Sequence, residues 1–366
     1  MVLVEDLTLF TPGPVPVARH LRAIGAHQPP YNRTEEFSSI TREILSGLRG
    51  LFQTDGSVAL LTASGTAAME ASVLNFLGAS DHALVINGGT FGQRWCDLCD
   101  VHSVAYDEYK LRFGADVDLS HLAELLSTQR FTALLVNAHE TSTGHLYDVE
   151  AIGALARQYG LFYIVDAIST ICADPFFMDA WRVDVAVLSS HKALALPPGL
   201  SFVAMSGRAL ERLENRSATR SLYFDLKDHL ANQERGQMPY TPAIVLMMQL
   251  HQRLTDIQEQ TLPVLILSHK QRAETFRRAI ADLPFTLLPS RSSDAMTALT
   301  CIGLDGSMLA EALKVKHGIV VAPSGGTLKS KLIRISHMGA QNDDDLTRLV
   351  PALEVLAADT LRRNKH

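Results

Sequence analysis

The sequence predicts an α/β fold in two lobes: a large domain built on a mostly parallel sheet flanked by helices, and a smaller C-terminal α+β domain. This prediction rests on three observations. The length of 366 residues exceeds that of one ordinary domain. Between residues 57 and 202, short apolar runs alternate with segments that have the apolar period of a helix. After residue 243 a long helical stretch leads into a second group of short apolar runs.

The elements follow from these patterns in chain order. After a first strand that ends at Leu61, the large domain has runs typical of buried strands at 83–86, 133–136, 162–165, 183–188 and 202–205. Helical periodicity appears between them at 118–127 and 149–159. The stretch 243–283 is helical with an interruption at Pro263, and strands are predicted at 285–288, 296–301, 319–322 and 332–335 around a helix at 307–317. We therefore place an N-terminal segment at 1–20, the large domain at 21–250 and the small domain at 251–366.

Composition excludes several classes of protein. The net charge is −6 with both signs interspersed, and the chain has no basic stripe that would bind nucleic acid. Four cysteines are too few for a disulfide framework, so we expect a reduced, cytoplasmic setting. The first residues lack the pattern of a secretory signal, and no apolar run approaches the roughly 18 residues of a membrane span.

Three places stand out where a predicted strand ends. Ser64, Gly65 and Thr66 open a helix, whose free N–H groups and dipole would stabilise a phosphate, although such a sequence is most often a simple helix cap. Asp166 directly follows the predicted strand 162–165, and by itself it could equally be a turn residue. Lys192 follows a buried run, where an ammonium is costly unless it is paired or chemically changed.

The three features together are more specific than any one of them. A phosphate-binding helix start, a strand-end acid and a strand-end lysine are the parts of a pyridoxal 5'-phosphate site. In such a site the phosphate lies on the helix, the carboxylate faces the pyridinium nitrogen and the lysine forms a Schiff base with the aldehyde.

The order of motifs along the chain resembles that of class V aminotransferases, closest to the alanine-glyoxylate and 2-aminoethylphosphonate-pyruvate types. The similarity extends from about residue 8 to 340, and its motifs lie at 11–14, 64–66, 88–94, 139–144, 165–169, 190–192, 197–199, 239–242 and 334–339. The resemblance implies fold type I, with a seven-stranded-type sheet in the large domain. It also implies a homodimer with shared active sites and an N-terminal segment that packs on the active site.

The resemblance further implies a role for each matching residue. Lys192 would form the Schiff base and then shuttle a proton, while Asp166 would keep the pyridine nitrogen protonated. Phe91 and Ile168 would lie on the two faces of the cofactor ring. The phosphate contacts would be Ser64, Gly65, Thr66 and His191, and the hydroxyl near the phenolic oxygen would be that of Thr141. The residues that reach a neighbouring subunit would be Tyr240 and Thr241. The substrate contacts would be Gly13, Arg33 and Arg334.

The implied reaction moves an amino group from a small donor to a 2-oxo acid such as pyruvate or glyoxylate. The donor could be 2-aminoethylphosphonate or an α-amino acid such as alanine or serine. Arg334 suits a carboxylate, although a structural ion pair is the alternative. His191 departs from the Gln or Asn that many members carry, and the stretch 28–31 matches no named substrate class.

Two alternatives remain open. The same cofactor could serve a lyase or decarboxylase; a desulfurase would need a mobile cysteine, and only Cys301 lies in the second half of the chain. A catalytically silent cofactor-binding protein is the other. Cys96 and Cys99 form a C-x-x-C pattern with no partner pair, so we expect no metal site.

Overall fold

The computed structural model describes residues 7–128, 130–216 and 219–363, so residues 1–6 of the predicted N-terminal segment lie outside the described residues. The strands are β1 Thr8–Phe10, β2 Ser57–Leu61, β3 His82–Asn87, β4 Ala105–Lys110, β5 Ala133–Asn137, β6 His139–Glu140, β7 His145–Leu146, β8 Phe162–Asp166, β9 Val185–Ser189, β10 Ser201–Met205, β11 Phe285–Leu287, β12 Met296–Cys301, β13 Ile319–Pro323 and β14 Leu332–Ser336. The α-helices are α1 Arg19–Ile24, α2 Glu35–Phe52, α3 Gly65–Phe76, α4 Thr90–Val101, α5 Leu119–Leu126, α6 Val149–Gln158, α7 Gly207–Glu214, α8 Leu226–Gln233, α9 Ile244–Gln260, α10 Leu262–Ala279, α11 Gly306–His317 and α12 Asp343–Arg363.

The large domain is built on a seven-stranded sheet with the order β2-β10-β9-β8-β5-β3-β4. The pairs β9–β8, β8–β5, β5–β3 and β3–β4 are parallel, and β10 alone in this sheet runs antiparallel to its neighbours β9 and β2. The central strands are buried along their whole length because helices cover both faces. Because the four pairs named above are parallel, the carboxyl ends of their strands lie at one edge of the sheet.

The two faces of this sheet belong to different apolar clusters. On one face, residues such as Leu134 and Val165 pack with helices α2, α6 and α9. On the other face, Leu135 and Ile164 pack with α3 and α4. Alternate residues of each strand thus point to opposite layers, as the pleat requires. The result is a helix–sheet–helix arrangement in three layers.

The small domain contains a second sheet with the order β1-β13-β14-β12-β11. β1 comes from the N-terminal segment and pairs in parallel with β13, so that Thr8 lies opposite Ile319. Phe10 is fully buried in the core between this sheet and helices α10, α11 and α12. The chain leaves β1 directly toward the large domain.

The structure shifts some predicted boundaries. The run 183–188 is a strand only from Val185, because the chain turns at Arg182, whose φ is +60°, and the N–H of Val183 bonds to the carbonyl oxygen of Met178. The helical stretch breaks at Thr261, with a φ of +72°, and Pro263 lies in the first turn of α10 rather than at the break. Residue 251 lies inside α9, which packs against α2, so the domain boundary stays a prediction. Within the described ranges, no helix combines the length and the apolar character needed to cross a membrane.

Candidate active site

Neighbouring parallel strands bring the predicted acid and lysine together. β8 ends at Asp166, and β9, which pairs with it in parallel, ends three residues before Lys192. Asn137, the last residue of β5, lies opposite Asp166 on the other side. Ligands of open α/β sheets collect at this edge. The fold thus builds a polar cluster from three successive strand ends.

Asp166 is a buried acid with two local donors. Its carboxylate accepts hydrogen bonds from Asn137 Nδ2 at 2.7 Å and from the N–H of Ile168 at 2.8 Å. Burial nevertheless raises the pKa of Asp166 to about 6, because those two bonds and the charges of Arg94 and Lys192 only partly offset the loss of water. A cation at the carboxylate would lower that pKa again.

Lys192 is buried at the junction between the lobes. Its Nζ donates a hydrogen bond to the carbonyl oxygen of Pro12 at 2.6 Å, and it lies 5.9 Å from the centroid of the Phe91 ring. Burial lowers the pKa of Lys192 to about 8; the charge of Asp166 opposes this shift, and the charges of Arg334 and Arg94 add to it. The neutral amine, which is the nucleophilic form, is therefore much more abundant than in an exposed lysine.

The start of α3 lies beside this cluster. Ser64 precedes the helix in an extended conformation, and its hydroxyl does not cap the helix. A Cβ on Gly65 would come within 2.5 Å of Ile168 Cδ1 and 3.1 Å of Ser189 Cβ, so glycine permits close packing here. Thr66 Oγ1 accepts a hydrogen bond from Arg94 Nη1 at 3.0 Å. The first-turn N–H groups and this arginine together favour an anion.

His191 lies between Lys192 and the sheet. Its Nδ1 is 2.9 Å from Ser189 Oγ, and that hydroxyl donates to the carbonyl oxygen of Leu200. Burial, together with the charge of Lys192, lowers the pKa of His191 to about 4. The imidazole is therefore neutral at physiological pH.

Phe91 is placed by the first turn of α4. The Arg94 guanidinium carbon lies 4.8 Å from the centroid of its ring, and Lys192 approaches the same ring. Ile168 lies two residues after Asp166, and its side chain approaches Gly65 at the start of α3. An aromatic ring and an aliphatic side chain are thus both available near the lysine.

Arg334 comes from β14 of the small sheet and is not held by an ion pair in the described part of the chain. Its Nη1 donates to the carbonyl oxygen of Thr141 at 3.0 Å, and its Nη2 donates to that of Pro323 at 3.1 Å. Its buried Nε has no partner among the described residues. Burial lowers the pKa of Arg334, and the charge of Glu140 opposes that shift. The Thr141 hydroxyl bonds to Ser169 Oγ at 2.7 Å.

Gly13 also belongs to this cluster. Its φ is +135°, and a Cβ there would lie 2.8 Å from Lys192 Nζ. The hydrogen bonds of Arg33 and Tyr240 lead elsewhere. Arg33 Nη1 donates to Gln237 Oε1 and to the carbonyl oxygen of Met238, and Tyr240 donates to the carbonyl oxygen of Leu222 while its ring stacks on Tyr223 at 5.3 Å. Thr241 is exposed.

The sequence patterns did not single out Asn137, Glu140 or Arg94. Asn137 follows an apolar run directly, so the rule that found Asp166 could also have found it. Arg94 and Glu140 lie inside motifs that carry the family resemblance, but the contact of Arg94 depends on packing of α4 against α3, and that of Glu140 on packing of α4 against β6. Cys96 and Cys99 are buried in α4, and burial raises their pKa values to about 11 and about 12. No group of three or more His, Cys, Asp or Glu side chains able to hold a metal ion is found among the described residues.

The mostly parallel seven-stranded sheet flanked by helices is the fold-type I architecture that the sequence predicts, and its structural neighbours share it. The family model for aminotransferase class V matches residues 22–349, and the chain belongs to that family. The chain is therefore an aminotransferase, and its cofactor is pyridoxal 5'-phosphate.

Relatives extend over almost the whole chain. A protein named soluble hydrogenase, small subunit, from Synechococcus is 32% identical, covering 97% of this chain and 94% of its own. A serine–glyoxylate aminotransferase from Methylorubrum extorquens is 27% identical, covering 96% and 91%. The crystal structure of an alanine–glyoxylate aminotransferase from Nostoc superimposes with a TM-score of 0.92 at 29% identity, covering 96% of this chain and 95% of that one.

The residues present fit the cofactor. The pKa of the desolvated Asp166 carboxylate is raised, and a pyridinium beside it would lower that pKa again. The desolvated amine of Lys192 donates to a carbonyl oxygen rather than to that acid. A Cβ at Gly65 would collide with Ile168 Cδ1, so glycine lets the N–H groups at the start of α3 lie close to this cluster. The buried Oδ1 of Asn137 has no partner among the described residues. The two desolvated groups and the unpartnered oxygen are what the polar atoms of the cofactor would satisfy.

Proposed function

We propose that this enzyme transfers an amino group from a small α-amino acid, such as alanine or serine, to a 2-oxo acid of the glyoxylate or pyruvate type. One observation chiefly supports the choice of carboxylate substrates. Arg334 is half-buried near Lys192, its guanidinium is held by two carbonyl oxygens, and its buried Nε is unpartnered in the described chain. A planar guanidinium in this state suits bidentate binding of an α-carboxylate.

Similar proteins support the same choice. The serine–glyoxylate relative and the alanine–glyoxylate structure both carry small substrates in their names. An L-aspartate–glyoxylate aminotransferase from Paracoccus denitrificans is 27% identical over 96% of this chain. Glyoxylate is thus the acceptor common to these three names, and we propose it for this chain.

The proposed roles follow from the site geometry. When bound, the cofactor supplies an electron sink that makes the substrate Cα acidic. Asp166 would keep the pyridine nitrogen protonated, and Lys192 Nζ would take the proton from the substrate Cα and deliver it to the aldehyde carbon of the cofactor. Arg334 orients the α-carboxylate, with Gly13 leaving space next to Lys192.

The other predicted residues serve the cofactor. Phe91 and Ile168 would bracket its ring, and Thr141 would approach its phenolic oxygen. The phosphate would lie on Ser64, Gly65, Thr66 and His191. Tyr240 and Thr241 would reach the phosphate of a second copy of the chain, which agrees with their position outside this cluster. Arg33 is bound to Gln237 and Met238, and a role in binding a second anionic group stays a prediction. The homodimer and the cytoplasmic location also stay predictions.

The test is a donor panel on the cofactor-loaded enzyme. We expect alanine or serine to abolish the visible absorption of the lysine-bound cofactor and to release one equivalent of oxo acid, after which glyoxylate restores the absorption. Lys192→Ala should lack that absorption, while Lys110→Ala, a change at an exposed lysine, should keep it. A Lys192→Ala protein with unchanged absorption would refute the assignment. If 2-aminoethylphosphonate reacts and α-amino acids do not, the phosphonate donor replaces the one proposed.

Arg334→Ala separates carboxylate binding from the chemistry. We expect KM for glyoxylate to rise about 100-fold, because a charged bidentate contact is worth about 3 kcal/mol. Conversion of a primary amine that lacks a carboxylate should change little in the donor half-reaction. Equal losses with both kinds of donor would show that Arg334 is structural. Arg291→Ala, which removes an arginine paired with Asp148 at the surface, is the control.

Lyase chemistry is the rival. Cysteine desulfurases share the fold at 12–14% identity, which shows the fold alone. Cys301 packs against the core of the small domain, and burial raises the pKa of its thiol to about 11. A lyase would return to the lysine-bound cofactor with donor alone, whereas an aminotransferase would accumulate the amine form. Single-turnover absorption spectra distinguish the two.

A further inference from the structure

Glu140 is a completely buried carboxylate that none of the proposed roles includes. It is the last residue of β6, and its side chain has no exposure to solvent. A buried carboxylate is costly unless hydrogen bonds replace its water. Its contacts therefore indicate what the fold uses it for.

The carboxylate of Glu140 caps the first turn of α4. Its Oε2 accepts from the N–H of Phe91 at 3.2 Å and from that of Gly92 at 2.9 Å. Its Oε1 accepts from the N–H of Ser142 at 3.1 Å and also from the Ser142 hydroxyl. The same hydroxyl oxygen accepts from the N–H of Thr90 at 3.0 Å. Three consecutive N–H groups at the positive end of α4 are thus satisfied by this pair of side chains.

The approach of the two segments is close. A Cβ on Gly89 would lie 2.2 Å from Ser142 Oγ and 2.8 Å from Glu140 Cδ, so only glycine fits between them. The contact fixes the position of Phe91 because it acts on the backbone of that residue. The register of α4 relative to β6 is therefore set by Glu140.

The residue that follows Glu140 contacts the arginine of the small domain. The carbonyl oxygen of Thr141, which follows Glu140, accepts a hydrogen bond from Arg334 Nη1 at 3.0 Å. The negative charge of Glu140 also favours the protonated guanidinium of Arg334. One buried group thus contacts the helix that carries the ring and the turn that holds the arginine.

We propose that Glu140 is a positioning residue that holds the Phe91 ring and the Arg334 guanidinium in fixed relation near Lys192. It touches neither the reacting atoms nor the substrate. The proposal deepens the proposed function and rests on it for the substrate readout, while its cofactor readout does not require turnover.

Glu140→Gln is the informative variant, because it keeps the shape but places an amide where N–H donors converge. We expect three changes. Amide exchange at residues 89–92 should accelerate in the cofactor-free protein. The circular dichroism of the bound cofactor should change. KM for glyoxylate should rise about tenfold, as expected when an arginine is misplaced rather than removed.

The matched control is Asp174→Asn. Asp174 is also a buried acid that accepts from a serine hydroxyl and a backbone N–H, those of Ser293 and Asp294. We expect it to lower the thermal midpoint to a similar extent while leaving the cofactor spectrum and KM within about twofold of wild type. If both variants change the spectrum and KM equally, Glu140 has only a general structural role and the proposal is wrong.

A double-mutant cycle tests the link to Arg334. In an Arg334→Ala background, Glu140→Gln should no longer raise KM, because the group through which it acts is gone. Additive effects would overturn the link. If Glu140→Gln fails to fold, Ser142→Ala removes part of the same network and should change the same three readouts in the same directions. A wild-type enzyme without aminotransferase activity would refute the proposed function, yet the exchange and dichroism readouts would still decide the role of Glu140.

Discussion

Lys192 and Asp166 are both withdrawn from water, and burial moves their pKa values toward each other. The pKa of the lysine falls to about 8 and that of the acid rises to about 6, so near neutral pH the acid is ionised and a useful fraction of the lysine is neutral. Capture of an aldehyde requires a neutral amine, and protonation of a pyridine nitrogen requires an ionised carboxylate beside it. Both are present near neutral pH.

The rate at which the cofactor-free protein captures pyridoxal phosphate should therefore depend on pH. Only the neutral amine reacts, so the rate should rise with pH and level off above the pKa of Lys192, with an inflection near 8 rather than near the ordinary value of 10.5. Stopped-flow absorbance at a series of pH values measures this. An inflection near 10.5 would show that the lysine is solvated.

Gly13 offers a second prediction at this scale. Gly13→Ala forces a Cβ to within 2.8 Å of Lys192 at a φ of +135°, so the variant should lose lysine-bound cofactor. Gly160→Ala is the matched control, since it has a φ of +71° but open space around it. Both should lose about 1–3 kcal/mol of stability from backbone strain. Cofactor titration and denaturant unfolding separate the two effects. Equal cofactor affinity in both variants would refute a role for the close approach to Lys192.

At the scale of elements, the parallel strands were predictable because their buried runs are long and flanked by turns. β4 was not identified, since its sequence alternates polar and aromatic residues at the edge of the sheet. The positions of Asp166 and Lys192 at the edge of the sheet could be predicted because a strand end is a local feature. The partners of Arg334 could not, since the carbonyl groups of Thr141 and Pro323 reach it only through the packing of the two lobes.

The break between α9 and α10 shows the same limit and yields a prediction. Proline was expected to interrupt the helix, but the turn occurs at Thr261, whose φ of +72° strains a β-branched residue. Thr261→Gly should raise the free energy of unfolding by about 1 kcal/mol, because relief of strain exceeds the entropic cost of glycine. Thr255→Gly, inside α9, should instead lower it by about 1 kcal/mol. Denaturant unfolding of both variants measures the difference, and a destabilised Thr261→Gly protein would contradict this account.

At the scale of the whole molecule, the lobes are connected through β1. This strand belongs to the small sheet, and the residues just after it contact the lysine of the large domain. Two lobes were predictable from length and patterning. The pairing of β1 with β13 was not, because nothing in a short apolar run near residue 8 specifies a partner near residue 319.

Phe10→Ala tests this connection. Removing a fully buried ring should cost about 3–5 kcal/mol, loosen β1 and speed the loss of cofactor, since Pro12 would no longer be held against Lys192. Phe285→Ala removes a ring from the same core through β11, at the opposite edge of the small sheet. It should destabilise the protein without speeding cofactor loss. Equal rates of cofactor loss from the two variants would contradict the role of β1.

The parallel pairing of Thr8 with Ile319 also has a consequence for biosynthesis. Thr8 leaves the ribosome well before its partner Ile319, because 311 residues (319 − 8) separate the two positions. Until then the N-terminal strand has an unpaired edge, and the lysine lacks the carbonyl group that contacts it in the finished fold. The nascent large domain can therefore form its sheet before this cluster is complete, so acquisition of cofactor is expected to follow synthesis of β13.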